Sequence, residues 1–182
     1  MLDRFEFLIT PGLGNSGPDH WQTHWQAHLP NARRVMQRDW DHPDPDEWTS
    51  SLATAIASAQ RPVIIIAHSL ACALVARYVA ATPRPNIAAA FLVSPSDVDS
   101  PAHTPDEVRG FAPMPMSPLP FPSLLLTSSN DPFVAPARAA EIGKAWGSEL
   151  IDMGALGHMN GASQLGLWPQ ALIHLGRLIA KT

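Results

Sequence analysis

Ile64-Ile65-Ile66-Ala67-His68-Ser69-Leu70-Ala71-Cys72-Ala73-Leu74 is the stretch around which this chain is organised. The apolar run from Val63 to Ile66 is β-branched and continuous, the pattern of a strand buried on both faces, as in a parallel sheet. It breaks at His68-Ser69 and gives way at once to Ala73, Leu74, Val75 and Ala76 at helical spacing. A strand that turns so sharply into a helix sets one serine at the corner, with its hydroxyl lifted above the sheet. Backbone crowding in such a nucleophile elbow demands small residues two positions before and after the serine. Ala67 and Ala71 meet that demand in volume while departing from the letter of G-x-S-x-G.

Such a turn can arise by chance, so the rest of the chain must supply what a serine nucleophile needs. A serine hydroxyl is unreactive near neutral pH without an adjacent base, and the base needs a partner to hold its tautomer. Ser123 to Ser128 reads as a strand followed by Asn130-Asp131-Pro132-Phe133. Glu149 to Met153 reads as another, followed by the glycine-flanked loop Gly154-Ala155-Leu156-Gly157-His158-Met159-Asn160. Ser69, Asp131 and His158 therefore stand in that chain order, each just past a strand: nucleophile, orienting acid and base. Asp97, after the strand Ile87 to Val93, is the rival acid. Asp131 is preferred because proline fixes its surroundings, whereas Asp97 opens an irregular stretch.

The first strand, Phe5 to Thr10, ends at Pro11-Gly12-Leu13-Gly14-Asn15-Ser16-Gly17. That loop has neither the G-K-[ST] ending of a P-loop nor G-x-G-x-x-G spacing. It reads as a plain tight turn or, beside a serine nucleophile, as the source of an oxyanion-hole amide. The amides of Leu13 and Leu70 are assigned to that hole, and Gly12, His68, Trp40 and Met159 to substrate binding. His68 adjoins Ser69 but is badly placed to be its base, and reads as elbow packing or a pocket contact.

The next helix, opened by Pro18-Asp19, carries Trp21 and Trp25 on a packing face; His20, His24 and His28 share a stripe with no carboxylate or cysteine in step, so no metal is expected. Ala32 to Gln37 forms a strand. An acidic, proline-broken loop from Arg38 to Trp48 then enters a helix that is capped by Asp44 or Asp46 and reaches about Ala59. If the sheet is parallel, this loop opens on the edge that carries Ser69, so Trp40 and His42 are candidate walls; its aspartates read as capping groups rather than a cation site. The helix after Ser69 runs to about Ala81 and stops before Pro83-Arg84-Pro85.

The 19 prolines cluster rather than scatter, and the stretch from Pro95 to Pro122 is dense in them; only one helical turn, near Asp106 to Arg109, is expected there. This excursion reads as a stiffened wall or flap near the site. Its Met114, Met116 and Phe121 either line an acyl pocket or pack across the sheet edge. Helices from Pro136 to Trp146 and from Trp168-Pro169 to Ala180 complete the alternation. The fold class is α/β, six mostly parallel strands covered by helices on both faces, with residues 1–182 in one domain.

Composition narrows the function. A net charge of -4 leaves no basic stripe, so nucleic acid is not an expected partner. No run approaches the roughly 18 apolar residues of a membrane span. Met1-Leu2-Asp3-Arg4-Phe5-Glu6 is acidic where a signal peptide is basic and then apolar. The single cysteine, Cys72, cannot form an internal disulfide and reads as core packing. A cytoplasmic protein is expected.

Pro11-Gly12-Leu13-Gly14, His20-Trp21-Gln22 with Trp25, Asp39-Trp40 with Pro43 and Trp48, Ala67-His68-Ser69, Ser129-Asn130-Asp131-Pro132-Phe133 and Gly157-His158-Met159-Asn160 together resemble the small α/β-hydrolases, more narrowly the lidless serine hydrolases related to retinoblastoma-binding protein 9. The resemblance covers nearly the whole chain. It implies a compact α/β-hydrolase core with no large cap and a triad of Ser69, Asp131 and His158; Ala67, where relatives commonly carry glycine, and Ala71 are departures. The triad chemistry itself calls for no metal or organic cofactor. The expected activity is hydrolysis of small carboxylic esters or amides. Thioesterase or acyltransferase chemistry is a variant of it. A protein-interaction module using the rim of Trp40, Trp48 and the Pro113 to Pro122 wall is the alternative of a different class, and a protein partner or a homodimer stays open.

Overall fold

The computed structural model describes residues 2–82 and 85–182. Its strands are β1 (Glu6–Thr10), β2 (Ala32–Arg34), β3 (Val63–His68), β4 (Ile87–Val93), β5 (Ser123–Thr127) and β6 (Glu149–Asp152); its helices are α1 (Trp21–His28), α2 (Pro45–Ala57), α3 (Leu70–Ala81), α4 (Pro136–Trp146) and α5 (Pro169–Ile179). All neighbouring strands pair in parallel, in the order β2-β1-β3-β4-β5-β6. Parallel neighbours need crossovers, and the strand–helix alternation of the sequence supplies them.

Successive side chains of a strand point to opposite faces, so the all-apolar strands feed two cores. Leu8, Ile65, Ala67, Leu92 and Leu125 pack with Trp48 and Leu52 of α2, the small residues of α3, and Ile142 and Trp146 of α4. On the other face Phe7, Ile9, Ile64, Ile66, Phe91 and Leu126 pack with Trp21 and Trp25 of α1 and Leu175, Leu178 and Ile179 of α5. The central helix α3 is buried almost throughout, and its Ala71, Cys72 and Ala73 let its backbone lie close against the sheet. Cys72 is a packing residue, its thiol pushed up to about 12, mainly by burial.

Element boundaries follow local chemistry. Asp44, not Asp46, caps α2 by accepting from the amides of Asp46 and Glu47 at 3.0 and 2.8 Å. Asp39 closes the preceding turn through the amides of Asp41 and His42, and Asp46 pairs with Arg77. The acidic loop is thus a set of caps and a surface ion pair. β2 is shorter than the predicted Ala32 to Gln37 because it is an edge strand whose pairing with β1 ends at Arg34. α3 ends at Ala81, as predicted, with Thr82 extended, before residues 83 and 84, which lie outside the described residues.

The proline-rich excursion is held mainly by the core. Val108, Phe111 and Met114 are buried, Met116 and Phe121 pack against the same cluster, and the Trp146 indole N–H donates to the Pro115 carbonyl at 2.7 Å. Of the two readings of Met114, Met116 and Phe121, packing is what the structure shows.

Candidate active site

Strand order places the site. The chain passes from β1 to β2 on one side and then returns to put β3 on the other side of β1. A cleft opens at the carboxyl ends of strands where their order reverses in this way, and the loops after β1 and β3 meet there. Gly12 presses against the elbow: a Cβ on residue 12 would stand 2.9 Å from the His68 carbonyl oxygen and 2.9 Å from the Ser69 Cβ. Glycine is required here by close approach.

Ser69 adopts φ 59° and ψ -126°, between the end of β3 and the first residue of α3. A side chain at positive φ of this kind costs on the order of 1–3 kcal/mol and persists only where its surroundings enforce it. The Ser69 amide donates to the Val93 carbonyl at 3.0 Å, and the Ser69 carbonyl accepts from the Cys72 amide at 3.0 Å.

The hydroxyl of Ser69 lies 2.8 Å from His158 Nε2. His158 Nδ1 lies 2.8 and 3.0 Å from the two carboxylate oxygens of Asp131. A carboxylate only accepts, so Nδ1 carries a proton and Nε2 faces Ser69 with a lone pair. Asp131 also accepts from the Phe133 amide at 2.9 Å, which fixes its own orientation. The loop bearing His158 is tied down from several sides. Asn130 Oδ1 accepts from the Gly157 amide at 2.7 Å, the Trp21 indole N–H donates to the Met159 carbonyl at 2.7 Å, and His68 Nε2 donates to the His158 carbonyl at 2.9 Å. Asp97 does not approach His158; its carboxylate lies 3.4 Å from Arg138.

A cleft of about 400 Å³ opens over Ser69, with Leu13, His20, His68, Leu70, Ser96 and Phe133 among its walls. Leu70 is the first residue of α3, so its N–H has no acceptor within the helix. The excursion contributes Ser96, Thr104, Pro105 and Val108. Two expected substrate contacts lie elsewhere. The Met159 side chain is fully buried in the core beneath α1 and α5, drawn there by the anchoring of its backbone to Trp21. Trp40 is half-buried against Trp48 in an edge-on contact at 5.7 Å, because the loop folds back onto α2. Gly12 acts through backbone proximity to the elbow and is not itself among the cleft walls. Of the expected rim for a protein partner, Trp48 is buried in the core while Trp40 is half-buried and Pro113, Pro118, Pro120 and Pro122 are exposed; His42 is exposed and outside the cleft.

Two residues of the cleft carry chemistry that the sequence alone did not assign to the site: Ser96, and His20, which in the sequence belongs only to a histidine stripe and a family motif. Ser96 places its hydroxyl 2.7 Å from that of Ser69. His20 caps α1 by accepting from the Gln22 amide at its Nδ1, so its proton sits on Nε2, and its ring meets His68 edge-on at 4.8 Å. Ser96 could have been flagged only by its place after a strand; His20, expected inside the helix, is its N-cap. Among the described residues no three metal-ligating side chains converge.

Burial, reinforced by Arg34 and His158, lowers His20 from 6.5 to about 4, and burial pushes His68 down as well. Both are neutral at neutral pH. The unfolded chain protonates His20 near pH 6.5 while the folded protein resists until about 4, so this group stabilises the fold above pH 6.5 and its contribution is lost as pH falls between those values. The loss at pH 4 is roughly 3 kcal/mol from His20 alone. Urea midpoints measured from pH 7 to pH 4 are expected to fall less steeply in His20→Asn, which keeps a capping acceptor but removes the titrating ring.

A serine held at positive φ between a buried parallel strand and the helix that returns across the sheet places this fold among the α/β-hydrolases, with no large cap among the described residues. The chain belongs to the serine hydrolase family, whose sequence model matches residues 7–177. It is similar to a YdeN-like hydrolase from Pectobacterium atrosepticum, with 31% identity, 96% of this chain and 90% of that one covered, and a TM-score of 0.84. It is also similar to the ydeN gene product of B. subtilis at 15% identity, covering 97% of this chain and 99% of that one with a TM-score of 0.79. An esterase domain from Rhodothermus marinus shares the fold at 14% identity, with 95% and 86% covered and a TM-score of 0.67. No curated protein matches the chain in sequence. No helix among the described residues is long and apolar enough to cross a membrane.

Proposed function

We propose that this protein hydrolyses small carboxylic esters or amides through an acyl-enzyme on Ser69, working as one domain with His158 as general base and Asp131 as its orienting acid. The observation that carries the reading is the Ser69–His158–Asp131 hydrogen-bond chain at the floor of the cleft, with contacts of 2.8 Å on both sides of the imidazole.

In acylation the Ser69 oxygen attacks the substrate carbonyl while its proton passes to His158 Nε2. The carbonyl π electrons move onto oxygen, and the amides of Leu13 and Leu70 donate to that oxyanion. Loss of one such donor typically raises a barrier by on the order of 3 kcal/mol. His158 then gives its proton to the departing alcohol or amine. Water, deprotonated by His158, attacks the acyl-enzyme and releases the acid. Asp131 stays ionised throughout and balances the imidazolium. The cleft of about 400 Å³ supports small substrates.

Labelling with a fluorophosphonate probe tests the reading. The wild-type protein is expected to be modified at Ser69, located by mass spectrometry of the labelled peptide, and Ser69→Ala to be unmodified. Short-chain p-nitrophenyl esters and matched anilides then separate ester from amide preference. A folded wild-type protein that neither labels nor hydrolyses either series would overturn the proposal and favour a binding role.

A further inference from the structure

Ser69 Oγ has two close polar neighbours, His158 Nε2 at 2.8 Å and Ser96 Oγ at 2.7 Å. The proton count decides who donates. Nδ1 of His158 is engaged by Asp131, so Nε2 offers a lone pair and takes the Ser69 proton. The short contact between the two serine oxygens still needs a hydrogen, and the one left is that of Ser96. Ser96 therefore donates to Ser69, which spends one lone pair on Ser96 and keeps one for attack.

Ser96 is fixed well enough for this contact to be a designed one. It is 4% exposed and sits between two anchored residues. The Ser94 amide donates to the Leu126 carbonyl at 2.9 Å, and the Asp97 amide donates to the Phe133 carbonyl at 3.0 Å. Asp97 is held further by Thr104, whose hydroxyl donates to its carbonyl at 2.9 Å, and by Arg138. The rival acid of the sequence thus helps to hold the loop that presents Ser96.

Resting on the hydrolase reading, we infer that Ser96 is a further residue of the catalytic machinery: its hydroxyl holds the Ser69 oxygen in its attacking orientation and assists acylation. When Ser69 attacks, the new bond is between Oγ and the carbonyl carbon, the Ser69 proton goes to His158, and Ser96 keeps its own proton. The resulting ester oxygen is a poorer acceptor than the hydroxyl it replaces, so the contact weakens in the acyl-enzyme. The gain is one of orientation: Ser96 holds the free Ser69 hydroxyl for attack, whereas in the acyl-enzyme the oxygen is already bonded to carbon while water attacks, so the effect of Ser96 falls mainly on the first half-reaction.

Ser96→Ala removes one oxygen and leaves the volume nearly unchanged. The second-order rate constant of fluorophosphonate labelling is expected to fall about 3- to 10-fold, the range of one neutral hydrogen bond. Stopped-flow hydrolysis of a p-nitrophenyl ester should show the burst phase slowed to the same extent and the deacylation rate much less affected. Ser96→Thr, which keeps the hydroxyl, should recover most of the labelling rate. Labelling of Ser96→Ala at the wild-type rate, or an equal slowing of acylation and deacylation, would overturn the inference, the second result marking a merely structural role. Failure of the wild-type protein itself to label would instead remove the hydrolase reading, so the two failures are distinct.

Discussion

Asp131→Asn is expected to lower kcat by about 10⁴-fold with little change in KM. The carboxylate has a fully buried side chain and accepts from His158 at 2.8 and 3.0 Å and from the Phe133 amide at 2.9 Å. With its second oxygen replaced by an amide nitrogen, residue 131 can present N–H groups to His158 Nδ1. That arrangement selects the tautomer with the proton on Nε2, so the imidazole facing Ser69 can no longer accept. It also removes the negative charge that balances the imidazolium during each proton transfer. Asp97→Asn is the comparison: its carboxylate lies against Arg138 rather than His158, and a loss under about 10-fold is expected. Steady-state kinetics on a short-chain p-nitrophenyl ester measure both. If Asp97→Asn lost as much as Asp131→Asn, the assignment of the acid would be reversed.

Gly12→Ala is expected to cost about 10²-fold in kcat/KM and about 1–3 kcal/mol of stability. The new methyl would stand 2.9 Å from the His68 carbonyl oxygen, 2.9 Å from the Ser69 Cβ and 3.1 Å from the Leu70 nitrogen. None of these is the yielding tip of a flexible side chain. Two are backbone atoms of the elbow, and the third belongs to the nucleophile. Relief must come from moving the β1 loop away from α3, which shifts Leu13 relative to Leu70 and widens the proposed oxyanion hole. Activity should therefore fall further than the stability change alone explains. Kinetics on the folded variant, with thermal unfolding beside them, separate the two effects. Wild-type activity in Gly12→Ala would show that the close approach has no catalytic purpose.

Much of the architecture was legible because it is written locally. The run Val63 to Ile66 reads as a strand buried on both faces, as is typical of a parallel sheet, and β4 and α4 have their predicted limits of Ile87–Val93 and Pro136–Trp146. Proline and glycine marked the breaks. The edge strand β2 was overestimated because its apolar residues continue past the point where β1 can pair with them. Ser69, Asp131 and His158 were chosen by chain order after strands, and the structure brings these three within hydrogen-bond distance. Trp40 and Met159 were chosen by loop position, and both turn into packing instead.

The sequence by itself determined the strand–helix alternation, the elbow at Ser69 and the family to which the chain belongs, since each rests on residues adjacent or nearly adjacent in the chain. Only the tertiary structure decided which loops meet. The order β2-β1-β3-β4-β5-β6 sets Gly12 against Ser69, and the packing of the post-β4 loop directs Asp97 to Arg138 and the Ser96 hydroxyl to Ser69. Strand order and side-chain direction depend on pairing and close packing between segments far apart in the chain, and no local pattern of residue types encodes them.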